Sequence, residues 1–364
     1  MKNKLRLTCA LILAILVIGI APVVNTSATQ DQPTIAKDSI QIRAFTVNSY
    51  KGNFDVWSWV PEMKFRVNGP IESGSQLYVQ YSLPTGAWVK FDCDTGNVQK
   101  GYWWKTECGG RQIEEKQQPS LYTGPVTFTI KMRNELQGTD STLFTGKMKV
   151  GKYKTNEVGP KAAQKFVYYV DHDFNLPIGY VYLTPSDVFG WKLPDFHVAF
   201  WVRGDAYKFD PHLFYQGKEV GKTFLDGMEI GKASCEAEVE INTTHYVEES
   251  VPQKAKWARV ECDFPGIKGS NTTNDDTTKN IFTLAANPGE YEFKLLWNNK
   301  LARSMKFTVQ PGGKFDNGIA SSNQLGSDRV IIPVTIIGDQ DGMWNKTAWQ
   351  TDAFYGNPLK GFTP

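Results

Sequence analysis

The chain has four histidines, so imidazole chemistry has few carriers. Asp171-His172-Asp173 offers three polar side chains that could hold a cation or set an acid beside an imidazole. It follows the strand-like run Phe166–Val170 and reads as a solvated turn. His197 begins a strand-like segment on its polar face, His212 follows Pro211 in a loop, and His245 closes the polar stretch Asn242-Thr243-Thr244. None has a nucleophile beside it in sequence. Asp339-Gln340-Asp341-Gly342 is a fragment of a calcium loop, but Met343 and Trp344 follow and no distal acid completes the ligand set. It reads as a turn, and Asn274-Asp275-Asp276 reads as a solvated loop. No Gly-x-Ser-x-Gly, His-Glu-x-x-His or phosphate-cradling glycine loop occurs. The expectation is a protein without catalytic residues, metal or cofactor, although a pair of carboxylates would leave no local pattern.

Aromatic residues are the stronger functional lead. There are 11 tryptophans, and aromatics make up 13% of the chain, enough to build real cores. Trp57-Ser58-Trp59 sets two indoles on one side of an extended chain. Tyr102-Trp103-Trp104 puts aromatics on both sides, close to a cysteine, and Trp344 and Trp349 lie near the C-terminus with Tyr355. Exposed aromatic platforms stack on sugar rings or anchor protein interfaces. Trp103 and Trp257 recur at matching places before a cysteine and are assigned to the core. Trp57, Trp59, Trp344 and Trp349 are the candidate ligand-binding residues.

The chain begins as a secretory leader does. Lys2, Lys4 and Arg6 precede an apolar run from Leu7 to Val24, and Thr26-Ser27-Ala28 supplies small residues for cleavage after Ala28. Uncleaved, the same run would be a membrane anchor. Cys9 stands at the start of this run, where lipidation is not expected. Removing three basic and no acidic residues takes the net charge from +2 to −1. A near-neutral chain with interspersed charges gives no electrostatic reason to bind nucleic acid or an anionic membrane. The address expected is periplasmic, cell-surface or secreted, with a protein or glycan partner outside the cytoplasm. Membrane contact is expected only if the leader is retained.

Four cysteines follow the leader, and an even count in an exported chain favours disulfides. Three connectivities are open. Cys93–Cys108 and Cys235–Cys262 are expected, because each pair is close in sequence and falls within one copy of a repeat. Loop closure gives each bridge roughly 3 to 4 kcal/mol at best. Neither pair has the Cys-x-x-Cys spacing of a zinc site.

The repeat rests on three stretches in the same order. Trp103-Trp104-Lys105-Thr106-Glu107-Cys108 and Trp257-Ala258-Arg259-Val260-Glu261-Cys262 both fit Trp-x-x-x-Glu-Cys. Gly124 and Gly289 each precede a Phe by four residues (Phe128, Phe293), with Asn134 and Asn299 at a common offset beyond. Phe144-x-x-x-Met148-Lys149-Val150 matches Leu301-x-x-x-Met305-Lys306-Phe307. Three matches in order imply duplication, with length differences confined to loops.

Period-two alternation predicts strands. It is clear over Met63–Val67, Leu77–Tyr81, Val126–Met132, Val198–Val202 and Tyr291–Trp297, with a return through Met305–Val309 after the Asn298-Asn299-Lys300 turn. No amphipathic helix stands out beyond one turn at Lys161–Lys165. Many short strands separated by turns argue for sandwiches or barrels.

Asn287-Pro288-Gly289-Glu290-Tyr291-Glu292-Phe293 resembles the approach to the penultimate strand of immunoglobulin-like sandwiches, where Gly-x-Tyr precedes an inward residue and a final hairpin closes the domain. About 25 residues of the second copy carry the likeness; in the first copy Val126 stands where Tyr291 does. The cysteine spacings depart from that family, whose bridge joins two sheets across a long separation. The resemblance implies a fold and carries no function.

The expected organisation is all-β, two tandem immunoglobulin-like β-sandwich domains with a C-terminal strand-containing tail. Residues 1–28 are the leader and 29–38 a polar segment. The first domain spans 39–153, a linker 154–164 and the second domain 165–310. A Gly/Ser-rich segment and tail occupy 311–364, with an edge strand over 330–337 because Pro333 cannot donate to a ladder. The expected function is that of an exported, non-catalytic binding or cell-envelope protein. The alternatives are a carbohydrate-binding or carbohydrate-active secreted protein using exposed Trp, and a structural subunit pairing through 330–337. Asn242, Asn271 and Asn345 head Asn-x-Thr sequons that matter only in a glycosylating host.

Overall fold

The computed structural model describes residues 33–361 apart from 49, 54, 96–103, 110–118, 155–164, 172–177, 185–193, 204–208, 221–222, 226–227, 231–232, 239–256, 270–280, 317–318, 320–321, 324–328 and 337–354. The fold is all-β. In the first half lie β1 (Thr34–Val47), β2 (Ser58–Asn68), β3 (Ser75–Leu83), β4 (Gly86–Thr95), β5 (Trp104–Gly109), β6 (Gly124–Asn134), β7 (Thr139–Lys154) and β8 (Phe166–Val170). They form one antiparallel sheet in the order β1-β2-β5-β4-β3-β6-β7-β8. The sheet curls until its ends meet: the Tyr168 N–H on β8 donates to Thr46 Oγ1 on β1 at 2.8 Å. All the strands then turn one face to a common core, which includes Ile42, Phe65, Val79, Phe91, Phe128 and Ile130. This is compatible with a β-sandwich. In β1 the register shifts between Ala36 and Gln41. There Ser39 Oγ donates to the Ala36 carbonyl and accepts the Arg66 N–H, both at 2.7 Å, which replaces ladder bonds lost at the bulge.

The second half comprises β9 (Ile178–Thr184), β10 (Asp195–Arg203), β11 (Phe209–Tyr215), β12 (Lys218–Val220), β13 (Thr223–Leu225), β14 (Met228–Ile230), β15 (Ser234–Glu238), β16 (Trp257–Lys268), β17 (Phe282–Thr283), β18 (Gly289–Trp297), β19 (Lys300–Gln310), β20 (Lys314–Phe315) and β21 (Arg329–Ile336). Its main path is β12-β11-β18-β19-β21-β9-β10-β16-β15. A second core gathers Val198, Phe200, Leu213, Phe264, Phe293 and Phe307.

The two halves repeat one pairing scheme. In each, the first strand pairs with the second and the second with the fifth-type strand that carries the distal cysteine: β1-β2-β5 and β9-β10-β16. The third-type strand pairs with the one opened by the repeated glycine, and that with its hairpin partner: β3-β6-β7 and β11-β18-β19. β4 pairs with both β3 and β5, a task that the second half divides between β12 and β15. A further strand then closes each half. β8 pairs with β7 and reaches β1, while β21 pairs with β19 and β9. Phe166–Val170, placed by sequence at the start of the second domain, therefore completes the first sheet.

β21 is not an edge. Its Arg329–Pro333 stretch pairs with β9 and its Val334–Ile336 stretch with β19. Pro333 stands at the changeover. A strand that passes from one neighbour to another must break its ladder, and a residue without an N–H suits that position.

β9 and β10 are buried on both faces. Val181, Val198 and Phe200 point into the second core, whereas Ile178, Tyr180, Tyr182 and Ala199 belong to the first. Pro33–Pro364 accordingly form one compact unit. The C-terminal segment returns to the first core as well, with Tyr355 and Leu359 buried there and the Tyr355 ring edge-on to Phe128 at 5.7 Å.

Candidate binding surface

Both expected disulfides form, each between residues directly opposite on adjacent strands. Cys93–Cys108 joins β4 to β5 and Cys235–Cys262 joins β15 to β16, with Cα separations of 4.2 and 4.0 Å. They are local staples at equivalent places in the repeated scheme. Two such bridges fit an oxidising environment.

Trp59 organises the aromatic residues of the first half. It is the second residue of β2, and its backbone exchanges hydrogen bonds with Ser120 at 3.0 and 2.9 Å. Its indole Nε1–H donates to the Tyr122 carbonyl at 2.8 Å, and it is 0% exposed. Trp88 of β4 packs edge-on at 4.9 Å, and Tyr168 of β8 lies at 6.4 Å. A buried indole needs its N–H satisfied, and the strap at 120–122 does this. Trp59 therefore serves the core and presents no ring face to a ligand.

The residues around it keep some exposure. Trp57 and Trp88 are half-buried, and Leu121 is 39% exposed. Trp57 precedes β2, where its carbonyl accepts the Tyr168 hydroxyl at 3.2 Å and Lys165 Nζ sits 5.3 Å from its ring. Trp57, Trp88, Leu121 and Tyr122, the partly exposed neighbours of Trp59 in sequence or packing, make up its rim. Trp88 was not singled out in the sequence, where Gly86-Ala87-Trp88-Val89 lacks alternation. Its hairpin position after Pro84-Thr85-Gly86 was the available signal. Trp344 and Trp349 lie outside the described residues. So do His172, Asp173, His245, Asn274–Asp276 and Asp339–Gly342. Trp103 does too, and nothing is described of the Trp257 side chain.

A polar cluster joins the halves. His197 of β10 places Nε2 2.7 Å from Thr184 Oγ1 of β9 and Nδ1 3.2 Å from Glu261 of β16, with Asp263 at 3.8 Å. Tyr182 stacks on the imidazole at 5.3 Å. Arg66 of β2 reaches across, 5.1 Å over the Tyr182 ring and 3.6 Å from Glu261. Burial pushes the Asp263 carboxyl up, against the pull of His197. Hydroxyl, imidazole and carboxylate in line is an order that nucleophilic catalysis uses. Here two carboxylates share the imidazole and Arg66 draws on one of them, so the arrangement acts as a tie between the halves.

His212 is in β11 rather than a loop, between Glu219 at 2.7 Å and Asp210 at 3.2 Å. Asp171 pairs with Lys149 at 3.5 Å. Among the described residues no group of three or more His, Cys, Asp or Glu is arranged to hold a metal.

On the outer face of β3, β4, β6 and β7, the Tyr78 hydroxyl donates to both oxygens of Asp140 at 2.9 and 2.8 Å, and Lys131 donates to Asp140 at 2.9 Å. Those bonds hold the Asp140 carboxyl below the usual carboxylate range. Lys90 lies 3.8 Å over the Tyr78 ring. The charges on this outer face pair with one another. Comparison of the chain with protein-family models, curated proteins and solved structures finds no match.

Proposed function

We propose that this is an exported, non-catalytic binding or cell-envelope protein of two tandem immunoglobulin-like β-sandwich domains, with its ligand held at the Trp57–Trp88 rim. The observation that carries the reading is a pair of partly exposed indoles, Trp57 and Trp88, beside the fully buried Trp59, on which Trp88 packs. Ligand faces with that build lose little entropy on binding, because the rings are already ordered. Three further features support the fold and the address. The two halves share one order of strand pairings, β1-β2-β5 with β3-β6-β7 and β9-β10-β16 with β11-β18-β19, which an immunoglobulin-like sandwich would have. The Tyr291 hydroxyl donates to the Asn287 carbonyl at 2.6 Å, as in a tyrosine corner. The leader-like N-terminus and the two staples suit export. The partner is a protein or glycan outside the cytoplasm, and the near-neutral charge disfavours nucleic acid.

A carbohydrate ligand is the second reading, favoured by the partly exposed Trp57 and Trp88 rings, which could stack on a sugar. The experiment takes purified wild type, Trp57→Ala and Trp88→Ala through a glycan array and a pull-down from envelope or extracellular extract. At least a tenfold loss of a wild-type signal in either variant is expected, and the assay that shows it identifies the ligand class. If both folded variants retain every wild-type partner, the rim is not the binding surface.

A further inference from the structure

The two disulfides occupy equivalent places in the repeated scheme but differ in access. Cys93 and Cys108 are 3% and 1% exposed. Cys262 is 0% exposed, whereas its partner Cys235 is partly exposed. A thiol can reduce a disulfide only if it reaches one of the sulfurs, and of the four cysteines Cys235 alone offers that approach.

The bridged strands are also held differently. β4 pairs with β3 from Tyr78 opposite Asp92 to Leu83 opposite Gly86, and β5 pairs with β2 from Glu62 opposite Gly109 to Val67 opposite Trp104. Opening Cys93–Cys108 would leave both strands anchored on their far sides. β15 instead ends its sheet, and β16 is its one pairing partner among the described strands, over Ser234–Glu238. Within this short ladder Glu236 stands opposite Glu261. Like charges directly opposite on antiparallel strands destabilise the pair. Asp94 stands opposite Glu107 in the first half, but there β3 retains β4. Cys235–Cys262 therefore fastens an edge strand that has little else to hold it. β16 itself is secured on its other side by β10, from Phe196 opposite Phe264 to Arg203 opposite Trp257.

We infer that Cys235–Cys262 is a redox-sensitive catch: a dithiol reductant opens it, β15 lifts away and the β16 edge from Arg259 to Asp263 is uncovered. A donor thiolate attacks Cys235 Sγ, the S–S bond breaks, and its electron pair leaves on Cys262 Sγ, which takes up a proton. The donor's second thiolate then attacks the donor sulfur of the mixed disulfide, and Cys235 leaves as a thiolate. Two electrons pass to the protein and the donor departs as a disulfide. Glu261 keeps its ties to Arg66 and His197, which lie on β2 and β10, so the change stays local. The uncovered edge presents unpaired N–H and C=O groups. No residue of the Trp57–Trp88 rim takes part.

The test applies dithiothreitol, a small dithiol, to the native full chain, traps free thiols by alkylation and locates them by mass spectrometry. Cys235–Cys262 should open about tenfold faster than Cys93–Cys108. Hydrogen exchange should then quicken about tenfold at residues 234–238 and at the β16 amides that face them, and stay unchanged in β3, β4, β5 and β6. Equal rates, or earlier opening of Cys93–Cys108, overturn the inference. So does opening that leaves exchange in β15 unchanged or that unfolds the whole chain. The variant Cys235→Ser with Cys262→Ser, which keeps Cys93–Cys108, should show the same local exchange with no reductant present. Protection equal to wild type in that variant also overturns the inference.

Discussion

At the scale of single residues, Trp59 and Trp57 show how far a sequence pattern reaches. Alternation would place both on one side, but alternation holds only inside a strand, and β2 begins at Ser58. Trp59 turns into the core and Trp57, just outside the ladder, keeps part of its ring in solvent. Their effects on mutation should separate accordingly. Trp59→Ala removes a fully buried aromatic with a satisfied N–H and should cost about 3–5 kcal/mol of stability. Trp57→Ala removes a partly buried ring and should cost less, about 1–2 kcal/mol. Urea unfolding followed by circular dichroism measures both, and equal losses would contradict this division. The matching Asn residues both serve turns, for reasons that differ. Asn299 adopts φ 59°, whereas the Asn134 Oδ1 accepts the N–H groups of Leu136 and Gln137 at 3.0 and 3.1 Å.

At the scale of elements, strands with one wet face were readable and strands with none were harder. β6 buries Val126, Phe128 and Ile130 and leaves the residues between them partly exposed, as its alternation requires. β9 and β10 bury both faces, and their apolar residues fall on both parities: Tyr180-Val181-Tyr182 and Phe196 to Trp201. An uninterrupted apolar run is the signal for such a strand. β8 was assigned to the wrong neighbour because five residues beside a linker carry no information about which sheet they close. The cysteine pairs were legible because cross-strand staples are near in sequence. Replacing Cys93 and Cys108 together by Ala opens a loop of 15 residues and should cost about 3 kcal/mol. The same change at Cys235 and Cys262, across 27 residues, should cost slightly more. Denaturation midpoints of the two double variants, compared with wild type under non-reducing conditions, test the order.

At the scale of the whole molecule, acid should act through two carboxylates with opposite signs. Asp140 is depressed by its bonds from Lys131 and Tyr78, so its contribution is present above the ordinary carboxylate pKa of about 3.9 and fades as pH falls through the depressed value. Asp263 is raised by burial, so its ionisation opposes folding above that pKa and the opposition disappears as pH falls through the raised value. Thermal melts from pH 2 to 7 should show Asp140→Asn lowering Tm at pH 6 with the deficit closing below pH 3. Asp263→Asn should raise Tm at pH 7 with the gain vanishing at low pH. A deficit for Asp140→Asn that is constant across the range would reject the assignment.

The buried Tyr355 sets a condition on how the polypeptide is made. Its hydroxyl meets the Ile40 carbonyl across 315 positions of sequence. N-terminal regions usually mature while the ribosome is still translating, but here the first core lacks two of its anchors until residue 359 has emerged. Native structure in the N-terminal half must therefore finish late, after synthesis rather than during it, with the slow kinetics that distant pairings impose. A nascent chain arrested before residue 350 should remain open to protease in its first 150 residues. Such a chain stays threadable for as long as it is being made.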